Sequence, residues 1–493
     1  MLAGMFSRVF DRMNRAGNGL VFLMFLGGSL FLRLPFFFRD YVDRDESTFI
    51  LMAQSLVDGH LPYTQLWDLK PPLLFLIFAL PIYTFGKSLF AIRVAGWLTV
   101  GGIAFYTYVL GRETGSKANG LAAGLACMFL MSLGGSVQGV MSEHFSMLFL
   151  MPALIGLVRP PGRGNYFLAG AGLGLAVLCK SNLAIAYPVL GLYLLFQGLR
   201  REGRPMRVPI LFLILGGTLV LFASVAPYLW AGQGSLWWDS VVRAALAYSG
   251  DAGALQGSSL GFCLAIGLLL GLAFRQGWLD GGNPATRLTA IALVGILLAF
   301  FKGGRINGHY LLQFYPLALV LLFGALQRTS PRSLRFFVGG ALLWLLILPV
   351  ESYKEYGAIL VHYRQQGRWY NGEGVEVPLY LQRAYPGERN VLFLEYHIGY
   401  WFLDALPPTA VATHPSNICR SYLYPFIPGS RPNPLSEIQY IMETRRPEVV
   451  VRRMGKGVFD AQYMLENAEI ESYLAVYFRR DTVVGRAEVY ARR

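Results

Sequence analysis

Residues Tyr41 to Leu73 read YVDRDESTFILMAQSLVDGHLPYTQLWDLKPPL, a polar stretch between two apolar regions of a chain built for a bilayer. Asp43, Asp45 and Glu46 follow the first long apolar run, where that run is due to leave the membrane. Acidic groups so close to lipid are expensive, and a functional reading is the default for them. From Ser47 to Val57, apolar side chains fall at Phe49, Ile50, Met52, Ala53, Leu56 and Val57. That spacing predicts a helix with one oily face, lying flat on the membrane surface. Ser47 or Asp45 stands where a capping side chain is needed. Lys70-Pro71-Pro72 closes the stretch and places a cation beside two residues that cannot continue a helix from the preceding turn.

The rest of the composition agrees. Of 493 residues, 54% are hydrophobic and 15% charged, too apolar and too sparsely charged for an ordinary soluble domain. Lys plus Arg outnumber Asp plus Glu by 43 to 29. Basic residues that hold cytoplasmic loops inside account for this excess, so no nucleic-acid partner is expected. Arg8, Arg12 and Arg15 precede the first apolar run, and no small-residue cleavage site follows it, so no cleaved signal peptide is expected. The cysteines, Cys127, Cys179, Cys263 and Cys419, show no C-x-x-C or zinc spacing.

Apolar segments lie at roughly 19–38, 72–86, 94–111, 119–137, 144–158, 165–178, 184–198, 209–230, 258–275, 287–301, 309–327 and 336–350. Twelve crossings would put Arg112 and Lys117 on the same side as the acidic first loop. If 72–86 is not a full crossing, the basic loops join Arg8, Arg12 and Arg15 inside; these are Arg112/Lys117, Arg159/Arg163, Arg200-Arg201-Arg204-Arg207, Arg275/Arg287 and Arg328/Arg332/Arg335. That segment is short, opens on Pro-Pro and is broken again at Pro81, which suits a re-entrant or surface helix. About eleven spans are therefore expected, with the N-terminus inside and the C-terminus outside. Charge alternation alone then gathers Asp43, Asp45, Glu46, His60, Lys70, Glu143, His144, Lys180, Arg243, Lys302, Arg305, Asn307, His309 and Tyr310 on the outer face. The expected domains are 1–350, a transmembrane domain with its first exported loop at 39–93, and 351–493, an extracytoplasmic α/β domain. In the latter, Val391–Leu394, Glu448–Val451 and Leu474–Phe478 have strand length, and Ser436–Glu443 is helix-like.

An Asp-Glu pair opening an amphipathic helix, with Lys-Pro-Pro-Leu some two dozen residues later, resembles the first exported loop of the GT-C superfamily. The similarity is to the bacterial branch with the aminoarabinose transferases of lipid A and the protein O-mannosyltransferases. Glu143 in Met141-Ser142-Glu143-His144-Phe145 resembles that branch's second-loop acid, more often Asp. Lys180 in Leu178-Cys179-Lys180-Ser181-Asn182 resembles its lysine after a small-residue-rich span, although Ser181 stands where Gly is common. Gly308-His309-Tyr310, with Pro316 beyond, is similar to its aromatic or basic pair entering a late span.

The resemblance implies a glycosyltransferase of the inner (plasma) membrane, moving one sugar from a polyprenyl phosphate to an acceptor on the outer side with inversion. The acceptor is lipid A or core, another envelope glycan, or protein. Such chemistry needs a carboxylate to deprotonate the acceptor, cations to balance the departing phosphate, and a greasy groove for the prenyl tail. Asp45 is the candidate base, with Glu46 and Glu143 as further acids. Lys70, Lys180, Arg305, His309 and Tyr310 are the candidate phosphate ligands. The plainer alternatives are a helix cap for Asp45, a helix-dipole partner for Glu143, snorkelling for the lysines and an interfacial belt for Tyr310. Asp45, Glu46 and Glu143 can also gather a divalent cation, but the lysines supply that charge, so metal independence is expected and no cofactor. Two rivals are a transporter or lipid flippase, with ionisable groups buried mid-span, and a non-catalytic scaffold of envelope assembly.

Overall fold

The computed structural model describes residues 15–40, 43–133, 135–200, 207–250, 257–304, 306–330, 339–340, 342, 347–455 and 457–493. Arg8, Arg12, Arg201, Arg204, Arg305, Arg332, Arg335 and most of the 336–350 segment lie outside them. The chain is a multi-pass α-helical membrane protein that ends in a small α/β region. Each described apolar segment forms a helix over most of its length. Six described helices are long and apolar enough to cross a bilayer: Asn18–Phe38, Leu89–Thr114, Arg207–Trp230, Gly257–Arg275, Pro284–Gly303 and Gly308–Thr329. Lys117–Leu130, Ser142–Val158, Arg163–Cys179 and Ala186–Arg200 are shorter. Pro72–Phe85, at 14 residues, is about 21 Å long, less than the roughly 30 Å of a hydrocarbon core.

The chain packs into two compact units that cut across the 350/351 boundary expected from sequence. One comprises residues 1–34, 94–227 and 252–354; the other comprises 35–93, 228–251 and 355–493. In the first, close helix approach depends on glycine. A Cβ on Gly170 would lie 1.9 Å from the Leu213 carbonyl oxygen, and one on Gly216 would lie 2.1 Å from that of Phe167. Small residues at such crossings let two backbones touch where lipid offers no hydrophobic drive to association. The 119–137 apolar run does not stay helical: its helix ends at Leu130, and a 3-10 turn follows at Gly135–Gln138. The fully buried Arg33 explains why this end is tolerated. Its guanidinium donates to the carbonyls of Met131, Val137, Gln138 and Gly139, three of them at 3.0–3.2 Å and Gln138 at 2.8 Å.

In the second unit residues 35–93 and the C-terminal region fold together. The Arg44–Val57 helix buries more than the one oily face its sequence suggests. Residues Glu46 to Ala53 are all buried, so it is a core helix. Phe49 meets Phe78 of the Pro72–Phe85 helix edge-on, and Trp401 donates to Gln54 at 2.8 Å. The apolar stripe left exposed is instead Leu76, Leu80 and Tyr83, on the second helix at helical spacing. The C-terminal sheet has strands β1 (Val391–Phe393), β2 (Val449–Arg453), β3 (Phe478–Val484) and β4 (Ala487–Arg492), in the order β1-β2-β4-β3. β1 runs parallel to β2, with Val391 opposite Val449; the other pairs are antiparallel, with Val450 opposite Tyr490. The run Leu474–Phe478 corrects the sequence expectation: it closes a helix, Met464–Tyr477, and only Phe478 begins a strand. Ile470, Tyr473 and Leu474 are its buried face, and so short an apolar run carries no periodicity to separate strand from helix.

Candidate active site

The acidic trio of the first loop divides into three roles. Asp43, in extended backbone, caps the Arg44–Val57 helix, its carboxylate accepting the Asp45 N–H at 2.8 Å. Neither Ser47 nor Asp45 is the cap, so the Asp45 carboxylate serves other partners. One oxygen lies 3.3 Å from Lys70 Nζ and the other 3.3 Å from His414 Nε2, and the side chain keeps 22% exposure. Glu46 points the other way, into a pair with Arg93 at 2.6 Å, with both side chains 1% exposed.

Lys70 is held from several directions. Its ammonium sits 5.4 Å from the Phe49 ring centroid, and its carbonyl accepts the Tyr63 hydroxyl at 2.6 Å. Tyr63 is buried, stacks on Tyr228 and has a φ of 73°. A non-glycine residue there costs about 1–3 kcal/mol, and such strain persists where packing over-determines it. The neighbouring Asp68 is buried, and its Oδ2 has no hydrogen-bond partner among the described residues.

Two histidines that sequence reasoning passed over stand beside this carboxylate. His397 Nε2 is 2.9 Å from Thr48 Oγ1, and the His397 and His414 rings are 5.8 Å apart. Arg44 pairs with Glu395 and donates to Ser416 at 3.2 Å, tying the same helix to the same C-terminal segment. Burial pushes both imidazoles below their usual range, opposed at His414 by the Asp45 carboxylate. The folded state thus holds them neutral, while the unfolded chain takes up protons near pH 6.5. Their contribution to stability is full above that pH and is lost as pH falls below it. Thermal unfolding of the purified protein at pH 5 is expected to come several degrees below that at pH 7.5. Replacing both histidines should flatten this dependence; equal pH sensitivity in that variant would refute the assignment.

In the other unit, Glu143, His144 and Ser146 open the Ser142–Val158 helix and are fully buried. Glu143 Oε1 is 2.6 Å from Lys180 Nζ, and Oε2 accepts the Ser142 hydroxyl at 3.0 Å. Lys180 ends the Arg163–Cys179 helix in extended backbone and places its ammonium 4.8 Å from the Tyr310 ring centroid. His309 Nε2 lies 4.0 Å from Glu143 Oε1, and its ring meets Tyr310 edge-on. Asn182 donates to Gln313 at 2.8 Å, and Gln313 donates to Ser146 at 3.3 Å, a polar layer behind the ion pair. Within this unit the structure brings together Glu143, Lys180, His309 and Tyr310; within the other it joins Asp45 to Lys70 and separates Glu46 from them.

A cavity of about 190 Å³ lies elsewhere, toward the far end of the Arg44–Val57 helix. Its polar groups already satisfy one another: Gln54 bonds Asp58, and Ser55 bonds Gln65. Among the described residues no three His, Cys, Asp or Glu side chains converge as metal ligands.

The dolichyl-phosphate-mannose-protein mannosyltransferase family model matches residues 69–230, about a third of the chain. In structure the chain is similar to ArnT from Cupriavidus metallidurans bound to undecaprenyl phosphate, with a TM-score of 0.56 and 14% identity over 97% of this chain and 98% of that one. The apo state of the same protein gives a TM-score of 0.58 at 14% identity, covering 95% and 97%. The Archaeoglobus fulgidus oligosaccharyltransferase tethered with an acceptor peptide gives 0.50 at 14% identity, covering 94% of this chain and 72% of that one. No curated protein matches by sequence. The likeness to these structures, at 14% identity, is one of fold, and the family model adds a match in sequence over residues 69–230.

Proposed function

We propose that this protein is a glycosyltransferase that moves a single sugar from a polyprenyl-phosphate donor to a hydroxyl of an envelope glycan, lipid or protein, on the outer side of the inner membrane. Asp45 takes the acceptor proton as the acceptor oxygen attacks the anomeric carbon. The bond from that carbon to the phosphate oxygen breaks, and the electron pair leaves with the polyprenyl phosphate, inverting the configuration. Lys70 supplies positive charge beside Asp45 in its unit, and Lys180, His309, Tyr310 and Arg305 are the candidate phosphate ligands of the other unit. Glu143 holds Lys180 in place, and Glu46 acts through Arg93 as a structural anchor. The observation that carries this reading is the Asp45 carboxylate, partly open to solvent yet held between an ammonium and an imidazole. A carboxylate oriented in this way, with part of its surface open, is what hydroxyl activation requires. The bound undecaprenyl phosphate of the similar ArnT structure supports the donor class.

The test is transfer in proteoliposomes loaded with a labelled undecaprenyl-phosphate sugar and an envelope extract as acceptor. Label arriving on an acceptor, with release of undecaprenyl phosphate, supports the proposal; no cleavage of the donor overturns it. Because Asp45 and Glu143 each already hold a lysine, the lysines do the work a metal would otherwise do. Excess chelator is therefore expected to leave the rate within about twofold, whereas general electrostatic loss costs about 100-fold or more. Loss in chelator reversed by magnesium or manganese would refute this.

A further inference from the structure

We propose that His414, supplied by the C-terminal region, is a positioning residue for Asp45, its Nε2–H holding one carboxylate oxygen while Lys70 holds the other. This rests on the reading of Asp45 as the base. The orientation of the ring is built in locally. Pro415 follows His414 and confines it to extended backbone, which it adopts at φ −116° and ψ 114°. The Ser416 N–H then donates to His414 Nδ1 at 3.2 Å. A nitrogen that accepts carries no proton, so in the neutral ring the proton is on Nε2, the atom 3.3 Å from Asp45 Oδ1.

The same segment is fastened to the strand of chain that presents Lys70. The Trp67 N–H donates to Thr413 Oγ1 at 3.3 Å, and the indole N–H of Trp67 donates to Ser240 at 3.0 Å. His414 and Lys70 thus reach Asp45 from two backbones tied together one residue before and three residues before them. Around this pair stand Asp43 and Glu46 on the Asp45 helix, Asp68 beside Lys70, and Arg44, His397 and Arg420. Arg420 is itself packed on Tyr248 at 5.4 Å and bonded to Asn417, so its charge is fixed in place. The C-terminal region is then part of the base's environment and not only a means of choosing the acceptor.

An N–H donated to a carboxylate favours its ionised form, so removing it makes the carboxylate bind protons more readily. The variants His414→Leu and His414→Gln separate this role from packing: both fill the site, and glutamine alone keeps an N–H for Asp45. In the full-length protein, the leucine variant is expected to transfer sugar about 10- to 100-fold more slowly, the worth of one hydrogen bond to a charged group. The acid limb of its pH–rate profile should move up by about one to two pH units, while that of the glutamine variant stays at the wild-type position. Carbodiimide labelling of Asp45 against pH, read by mass spectrometry, should show the same shift without any donor sugar. Coincident labelling curves for wild type, leucine and glutamine would overturn the inference even where transfer is active. A shifted labelling curve in a protein without transfer would leave it standing and sink the reaction proposed above instead.

Discussion

Asp45→Asn is expected to lower sugar transfer by at least about 10³-fold while the protein still folds and reaches the membrane. A positioned general base contributes about 10²–10⁴-fold. Asparagine keeps the shape and an oxygen that accepts from His414, but it cannot take a proton. The helix cap is untouched because Asp43 provides it. The neighbouring Lys70, 12% exposed, loses its counter-charge, so the melting temperature should fall by a few degrees while the protein still folds. Initial rates in proteoliposomes, paired with detergent melting curves, measure both. A variant that folds and keeps a tenth of the wild-type rate would remove Asp45 from the base role.

Arg93→Ala should act on stability first. The Glu46–Arg93 pair is 1% exposed on both sides, and removing one partner strands a buried charge at a cost of about 3–5 kcal/mol. That loss is large enough to remove most of the folded protein from the membrane fraction. The double variant Glu46→Leu/Arg93→Met, which takes away both charges, should recover most of the stability and transfer within about tenfold of wild type. A stable but inactive double variant would return Glu46 to the catalytic set. Melting temperature and rate measured on the same three preparations separate the outcomes.

What could be read in the sequence was local. Apolar length located the helices, and the loop motifs singled out Asp45, Lys70, Glu143, Lys180, His309 and Tyr310. Spacing could not divide labour within the acidic trio, because Asp43, Asp45 and Glu46 differ only in which way each points from the first turn of one helix. The inward face that buries Glu46 belongs to a helix whose pattern looked one-sided, since Ser47, Thr48 and Ser55 are polar yet buried. Arg33 and Arg93 sit at helix ends where charge counting reads any arginine as a topology marker; only the fold reveals the carbonyls and the carboxylate they hold. His397 and His414 lie more than 300 residues from Asp45 in sequence, with no motif around them, and come beside it through tertiary folding alone. Strand β3, FRRDTVV, has too many charges to announce itself and is defined by its pairing with β4.

The most direct measurement follows one donor molecule: a doubly labelled undecaprenyl-phosphate sugar, marked on the sugar and on the lipid, in sealed proteoliposomes with acceptor outside. The account predicts that the two labels part, the sugar on the acceptor and the lipid recovered as undecaprenyl phosphate, and that they stay together with Asp45→Asn. Labels that cross the bilayer still joined, at equal rates in wild type and Asp45→Asn, would mean that the protein carries a lipid and does not cut it.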